Sequence, residues 1–345
     1  MSKKLWAVPA ALLALLCLLC VAACAEETQT MSFTKLKEAL TWVEENQPQV
    51  LDLGKTKLSF DDVVQVKAAL PEGAELRFSL SWHGHTISSD MEEITFSKKG
   101  GQITAQFLRD LISLCPKLRM INTQNRRWLT NDVFLPLVDE HPEIDFQWII
   151  RIRCYYVPST ATAFSTLKGA HDKIALTSEE CELLRYAPHL KALDLGHNNV
   201  TTLDFLKYFP EMRILILALN NISDISILST MPDLEYVELF NNPISDISAL
   251  ADHTKLVDLN LSLCPITDFS PLDSCTALER LWLNKIKIGS ETLEAIQAAH
   301  PDTQISHTSN HETSNGWRSH WRYKQYYQMF LTNTWKEFEP PKSSK

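Results

Sequence analysis

A fixed period constrains this chain more than any other feature. Segments opening at Leu190, Met212, Leu234, Leu256 and Leu278 follow one another every 22 residues and share one template. Apolar residues recur at its first, fourth and sixth places: Leu190, Leu193, Leu195; Met212, Leu215, Leu217; Leu234, Val237, Leu239; Leu256, Leu259, Leu261; and Leu278, Leu281, Leu283. The fourth and sixth places alternate with polar or variable ones, which is the period of a short strand with one buried face. Such a strand is too small to stand alone. Stacked in parallel, the strands bury a continuous core in which each repeat touches only its neighbours.

The remaining places refine the template. The ninth is Asn198, Asn220 and Asn242, then Cys264, then Ile286. An inward amide there satisfies backbone groups of the turn that would otherwise be buried without partners. Cysteine does this weakly and isoleucine not at all, so the amide ladder is expected to end at the fifth repeat. The thirteenth place holds Thr202, Asp224, Asp246, Asp268 and Ser290, all good helix N-caps. Four precede a short turn, and the fifth precedes a longer helix, Glu291 to Ala299. The template resembles a leucine-rich repeat, and that resemblance implies an α/β class: a leucine-rich-repeat solenoid with a parallel sheet on its concave face and helices and 3-10 turns on its convex face.

The run Leu234-Glu235-Tyr236-Val237-Glu238-Leu239-Phe240-Asn241-Asn242-Pro243-Ile244-Ser245-Asp246-Ile247 resembles the leucine-rich repeat of the internalin type. The resemblance covers Leu190 to about Ala299. It implies a bacterial surface protein that binds host or neighbouring molecules on the concave sheet, and it implies no ligand. The ending Gly316-Trp317-Arg318-Ser319-His320-Trp321-Arg322-Tyr323-Lys324 is similar to that of uncharacterised repeat proteins from gut Firmicutes.

Upstream the period loosens. Phe60 to Phe96 and Thr130 to Phe164 read as two copies of a longer module, each with a helix (Asp61 to Ala69, Asn131 to Glu140), a Pro-Glu step and a strand through Phe78 or Phe146. Residues 25–189 are therefore expected to be divergent repeats continuous with the regular array at 190–300, with a separate N-terminal domain as the alternative. Residues 301–345 would cap the solenoid end. Their aromatic stretch, with Trp317 and Trp321 at helical spacing, reads as an amphipathic capping segment.

Residues 1–24 carry an export pattern: Lys3 and Lys4, then an unbroken apolar run from Leu5 to Ala23. Val21-Ala22-Ala23-Cys24 resembles the lipobox of bacterial lipoproteins, which would acylate Cys24 and hold the protein on the outer face of the membrane. Cleavage after Ala23-Cys24-Ala25 would instead release it. Loss of the two lysines takes the formal charge from −9 to −11, and without clustered Lys and Arg an acidic chain is a poor nucleic-acid binder. Outside the signal, Cys115, Cys154, Cys181, Cys264 and Cys275 are odd in number and widely spaced, neither a disulfide framework nor a zinc set.

Side chains alternate across a strand, so the third, fifth and seventh places face outward. They place Ile214, Ile216, Tyr236, Phe240 and Trp282 on the surface, bordered by Asp194, Glu238, Asp258 and Arg280. Apolar area with aromatic anchors and a polar rim marks a binding patch, unless the protein's own flanking segment covers it. The expected ligand-binding residues are Ile214, Ile216, Tyr236, Glu238, Phe240, Asp258, Arg280 and Trp282. The partner would be a protein, a peptide or a cell-wall or host-surface polymer. A self-associating envelope scaffold is the alternative class. A metal-dependent enzyme is the third, built on His83 and His85, with two imidazoles on one side of a strand. No third ligand has a defined spacing there. No nucleophile elbow, phosphate loop or His-Glu-x-x-His pair occurs. The expectation is a binding protein with no catalytic, metal or cofactor residues.

Overall fold

The computed structural model describes residues 30–98, 100–124, 126, 128–167 and 174–340. The export segment, Cys24 and the last residues of the tail lie outside the described residues. The chain divides into two compact units. One runs to Ile94 and includes Lys98–Met120; the other comprises Thr95–Ser97 and everything from Ile121.

The first unit begins with α1 (Leu36–Asn46), β1 (Val50–Lys55), α2 (Phe60–Ala69), β2 (Glu75–Trp82) and β3 (His85–Ser88). Serine at the N-cap of α2 accepts from Asp62 N while the Asp62 carboxylate accepts from Ser59 N, a capping box that fixes where the helix starts. β1 pairs in parallel with β2, and β2 turns back on β3 through His83-Gly84, whose φ values of 46° and 85° suit a two-residue hairpin. His83 thus sits in the turn and His85 on β3, so the two imidazoles do not share one strand. Both rings pack at Trp82 instead. β4 (Glu93–Thr95), α3 (Ala105–Leu114) and β5 (Met120–Asn122) follow.

The second unit continues with α4 (Asn131–Glu140), β6 (Asp145–Gln147) and a hairpin of β7 (Ile149–Ile152) and β8 (Tyr155–Pro158). Each of the two sequence modules therefore contains a hairpin, a feature that their shared pattern does not predict. Then comes β9 (Ala163–Ser165), the short α5 (Ser178–Cys181), and β10 to β14 at Ala192–Asp194, Ile214–Ile216, Tyr236–Glu238, Asp258–Asn260 and Arg280–Trp282. After α6 (Ser290–Ala299) the sheet closes with β15 (Gln304–Ser306), and α7 (Trp321–Thr332) is the last element.

β9 to β15 form one parallel sheet in sequence order. Its register runs Ala192↔Ile214↔Tyr236↔Asp258↔Arg280, so equivalent places of successive segments stand side by side. The fourth- and sixth-place leucines are buried on the inner face. Between strands the chain returns through 3-10 turns such as Asp204–Tyr208 and Ser226–Thr230.

The amide ladder forms as its chemistry requires. Asn220 Oδ1 accepts from Val200 N (2.9 Å) and its Nδ2 donates to the Leu195 and Leu217 carbonyls (2.9 Å each). Asn242 repeats this with Ile222 N, Leu217 O and Leu239 O. Cys264 Sγ, in the same place, donates to Leu239 O at 3.3 Å. The thirteenth-place aspartates sit one residue before the N-caps Ile225, Ile247 and Phe269. Asp224, Asp246 and Asp268 each accept from the backbone N–H two residues on, at 2.8, 2.8 and 2.9 Å, an Asx turn in front of the 3-10 segment. Ser290 lies inside α6, with Gly289 as its cap.

Candidate functional site: a sheet face that holds the chain's own C-terminal segment

The outward places are where the expectation fails. Ile214, Tyr236 and Trp282 are 0% exposed, Phe240 1%, Ile216 4%, and the polar members Glu238, Asp258 and Arg280 are 0, 0 and 4% exposed. The reason is the segment from Ser309 to Phe338. It crosses the outer face of the sheet and buries it. Trp317 is no helical partner of Trp321. It precedes α7 and is fully buried in the face.

Apolar contact comes first. Ala163, Ala192, Ile214, Ile216, Tyr236 and Trp282 of the sheet form one cluster with Trp317, Tyr326, Met329 and Phe330, with Tyr323, Trp335 and Phe338 packed around it. The Trp317 ring centroid lies 5.3 Å from that of Tyr236 and 5.0 Å from that of Trp282, and Tyr326 meets Tyr236 edge-on at 4.4 Å. Such pairs contribute about 0.5–1.5 kcal/mol each beyond the area they bury.

Main-chain recognition comes next. Four sheet side chains donate to carbonyls of the incoming segment: Asn284 Nδ2 to His311 (3.3 Å), Asn260 Nδ2 to Glu312 (3.0 Å), Trp282 Nε1 to Ser314 (2.7 Å) and Arg280 Nη1 to Trp317 (3.1 Å). Asn284 Oδ1 in turn accepts from Ser309 N at 3.0 Å. At the far side of the sheet, Asn333 O accepts from Thr162 N (3.1 Å) and Ala163 N (3.4 Å), and Trp335 N donates to Thr162 Oγ1 (2.6 Å). Asn333 thereby satisfies amides at the β9 edge.

The charges are matched rather than exposed. Arg322 Nε and Nη2 grip the two oxygens of Asp258 at 2.8 Å each, and Nη1 reaches Glu279 at 2.7 Å. Arg280 Nε holds the same Asp258 at 2.7 Å. Glu238 accepts from Trp317 Nε1 (2.6 Å), from the Tyr236 hydroxyl and from Arg318 Nη2 (3.4 Å). Burial, reinforced by the Glu238 carboxylate, holds the Tyr236 phenol well above its usual value. Further out, Arg213 pairs with Glu337 at 2.7 and 2.8 Å, while its guanidinium lies 4.7 Å from the Trp335 ring centroid.

Asp194 is the exception. It accepts from Ser165 Oγ (2.8 Å) and Gly196 N (3.0 Å), and among the described residues no cation pairs with it. Burial pushes its carboxyl up to about 6, with Glu238 adding to the rise and Arg318 opposing it. It lines a cavity of about 30 Å³ with Ser165 and Ile216, roofed by Tyr323, Tyr327 and Phe330, room for about one water.

The described thiols offer no nucleophile in this region. Burial pushes Cys181 up to about 12 and Cys264 and Cys275 up to about 11, values at which a thiol stays protonated and inert. Cys264 and Cys275 donate instead to the Leu239 and Leu250 carbonyls.

Family models for leucine-rich repeats match two stretches, residues 210–252 (a two-copy model) and residues 186–203. No curated protein matches the chain. Among solved structures, the chain is similar to an internalin from Listeria monocytogenes (InlF; 17% identity over 77% of this chain and 70% of that one, TM-score 0.38). It is also similar to internalin C2 of the same organism (18%, covering 72% and 92%, TM-score 0.33) and to a leucine-rich-repeat protein of Leptospira interrogans (17%, covering 75% and 72%, TM-score 0.40). The parallel strands, the amide ladder and the family matches agree on what positions this face: a leucine-rich-repeat fold whose β10 to β12 strands lie within or beside the matched stretches.

Proposed function

We propose that the protein is a non-enzymatic extracytoplasmic recognition protein, internalin-like in mode, whose sheet face binds polypeptide. One observation carries this reading. The face already holds a polypeptide segment by the means a receptor uses, with side-chain donors on main-chain carbonyls, aromatic anchors in a dry centre and paired charges. Ile214, Ile216, Tyr236, Glu238, Phe240, Asp258, Arg280 and Trp282 are the proposed ligand-contacting residues, reached when the C-terminal segment lifts. The partner class is a protein, a peptide or a cell-wall or host-surface polymer. The export run supports a place outside the cytoplasm, and Cys24 is the proposed point of lipid attachment.

Alanine scanning is a poor test, because Tyr236 and Trp282 are core residues and their loss would damage the fold. A reversible lock is better. Trp335 N donates to Thr162 Oγ1 at 2.6 Å, so the backbones at these positions are close enough for a disulfide to be engineered with Thr162→Cys and Trp335→Cys. The expected result is that wild type retains a component of a surface-protein and glycan array, the oxidised variant does not, and reduction restores retention. Retention that is indifferent to the lock would remove the face from the function. No retention by any form would remove recognition itself.

A further inference from the structure

We propose that this face also accepts the segment Trp317–Phe338 of a second copy of the chain, so that two molecules exchange their C-terminal segments reciprocally. The inference does not rest on a foreign ligand. It rests on three features of the face and of the segment.

The first is chemical fit. Without the segment, the face presents Ile214, Ile216, Tyr236 and Trp282 beside three carboxylates, Asp194, Glu238 and Asp258, against one guanidinium, Arg280. An apolar surface with that charge excess selects an occupant with aromatic rings and cations. Trp317, Arg318, Arg322 and Tyr326 supply both. A second copy brings the same residues in the same order, so every contact that the closed molecule makes from Trp317 onward is available in the exchanged pair.

The second is the connector. Between Ser306, which ends β15, and Trp317, the first buried anchor, the exposed residues include Thr308, Asn310, His311, Asn315 and Gly316. Asn315 and Gly316 are consecutive left-handed residues, φ 57° and 89°, and this is where the chain turns onto the face. A non-glycine residue is held there at some cost, and straightening the turn relieves it. Extended, the connector spans roughly 35 Å at about 3.3 Å per residue, enough to carry Trp317 off its own sheet and onto a neighbour's.

The third is thermodynamic. Because the contacts from Trp317 onward are the same in both forms, the balance is set by connector strain against the entropy of association and the connector's hydrogen bonds to Asn260, Trp282 and Asn284. A short tether gives an effective concentration in the millimolar range. The native chain is therefore expected to be a monomer at micromolar concentration, and exchange becomes dominant when closure within one molecule is made unfavourable.

The test is a complementary pair of full-length variants, Asp258→Arg and Arg322→Asp. Alone, the first gathers three guanidinium groups at one point, and the second sets two carboxylates against Arg280. Each mismatch is relieved only if the segments cross. The pair, unfolded together and refolded as a mixture, is expected to give a one-to-one dimer by light scattering. Each variant alone should be a monomer with a protease-sensitive segment, and one chain carrying both substitutions should be a protected monomer. A mixture that stays monomeric while the doubly substituted chain folds overturns the proposal. If the doubly substituted chain does not fold, deletion of residues 308–310 decides, since a connector too short to close on its own sheet should turn the otherwise native chain into a dimer. A protected monomer from that deletion overturns the proposal too.

Discussion

Replacing Asp194 with asparagine should stabilise the protein at neutral pH and leave it unchanged in acid. Asp194 is fully buried and, among the described residues, accepts neutral hydrogen bonds from Ser165 Oγ and Gly196 N with no cation paired to it, while the Glu238 carboxylate adds to the cost of its charge. Its carboxyl is raised from 3.8 to about 6. Because the folded state holds this proton more tightly than the unfolded chain, unfolding releases it between those values. Stability associated with the group is therefore fully present below about pH 4 and is lost as pH rises through about 6. A displacement of about two pKa units corresponds to about 3 kcal/mol at the upper plateau. Asparagine keeps the shape and carries no charge. Its oxygen still accepts from Gly196 N, and the Ser165 hydroxyl can rotate to accept from the amide. The assay is urea unfolding of wild type and Asp194→Asn from pH 4 to pH 7.5. Subtracting the two cancels every other titrating group, and the difference should grow from near zero to about 3 kcal/mol in favour of the variant. A flat difference, or a variant less stable at pH 7.5, would refute the reasoning.

Other substitutions follow from the same geometry. Arg322→Met leaves Asp258 buried with Arg280 alone, and should cost about 3–5 kcal/mol and make residues 309–338 the first site of limited proteolysis. Asn242→Ala removes an acceptor from Ile222 N and donors from two buried carbonyls; a loss of about 2–3 kcal/mol in the urea midpoint is expected, with no change of slope. Leu263 has φ 62° and is 40% exposed, and Asn241 occupies the equivalent place of the preceding repeat. Leu263→Asn should raise stability by about 0.5–1 kcal/mol, because asparagine tolerates left-handed backbone better than leucine.

The inner half of the sheet was legible because it is periodic. Leu193, Leu215, Val237, Leu259 and Leu281 repeat a place whose only task is to fill the core, and the asparagines repeat a place whose only task is to satisfy turns. The outer half was legible as composition and not as structure. Ile214, Tyr236 and Trp282 were correctly placed on the outward side, but exposure was inferred one strand at a time. What covers them lies 79 residues from Glu238 in the case of Trp317 and 64 from Asp258 in the case of Arg322, and no period links the two. The signal lay in the match between inventories: a sheet face with surplus carboxylates and aromatics, and a tail with surplus arginines and aromatics. The left-handed place shared by His197, Leu219, Asn241, Leu263 and Lys285 was hidden for a different reason. None is a glycine, so the backbone register and not the residue type imposes it.

The carbonyl of Asn333 at the edge of β9 has a consequence for how the molecule unfolds. A repeat array normally melts like a zipper, from either end and in pieces, because each unit depends only on its neighbours. Here the segment is tied to β9 through Asn333, to the middle strands through Trp317 and Arg322, and to β14 through Trp282. Loss of any strand beneath it weakens its hold on all the others. The seven strands are thus expected to melt in a single sharp transition, and during folding the segment cannot seat until the last strand has paired. The slowest contacts to form are then those between Thr162 and Trp335, 173 residues apart.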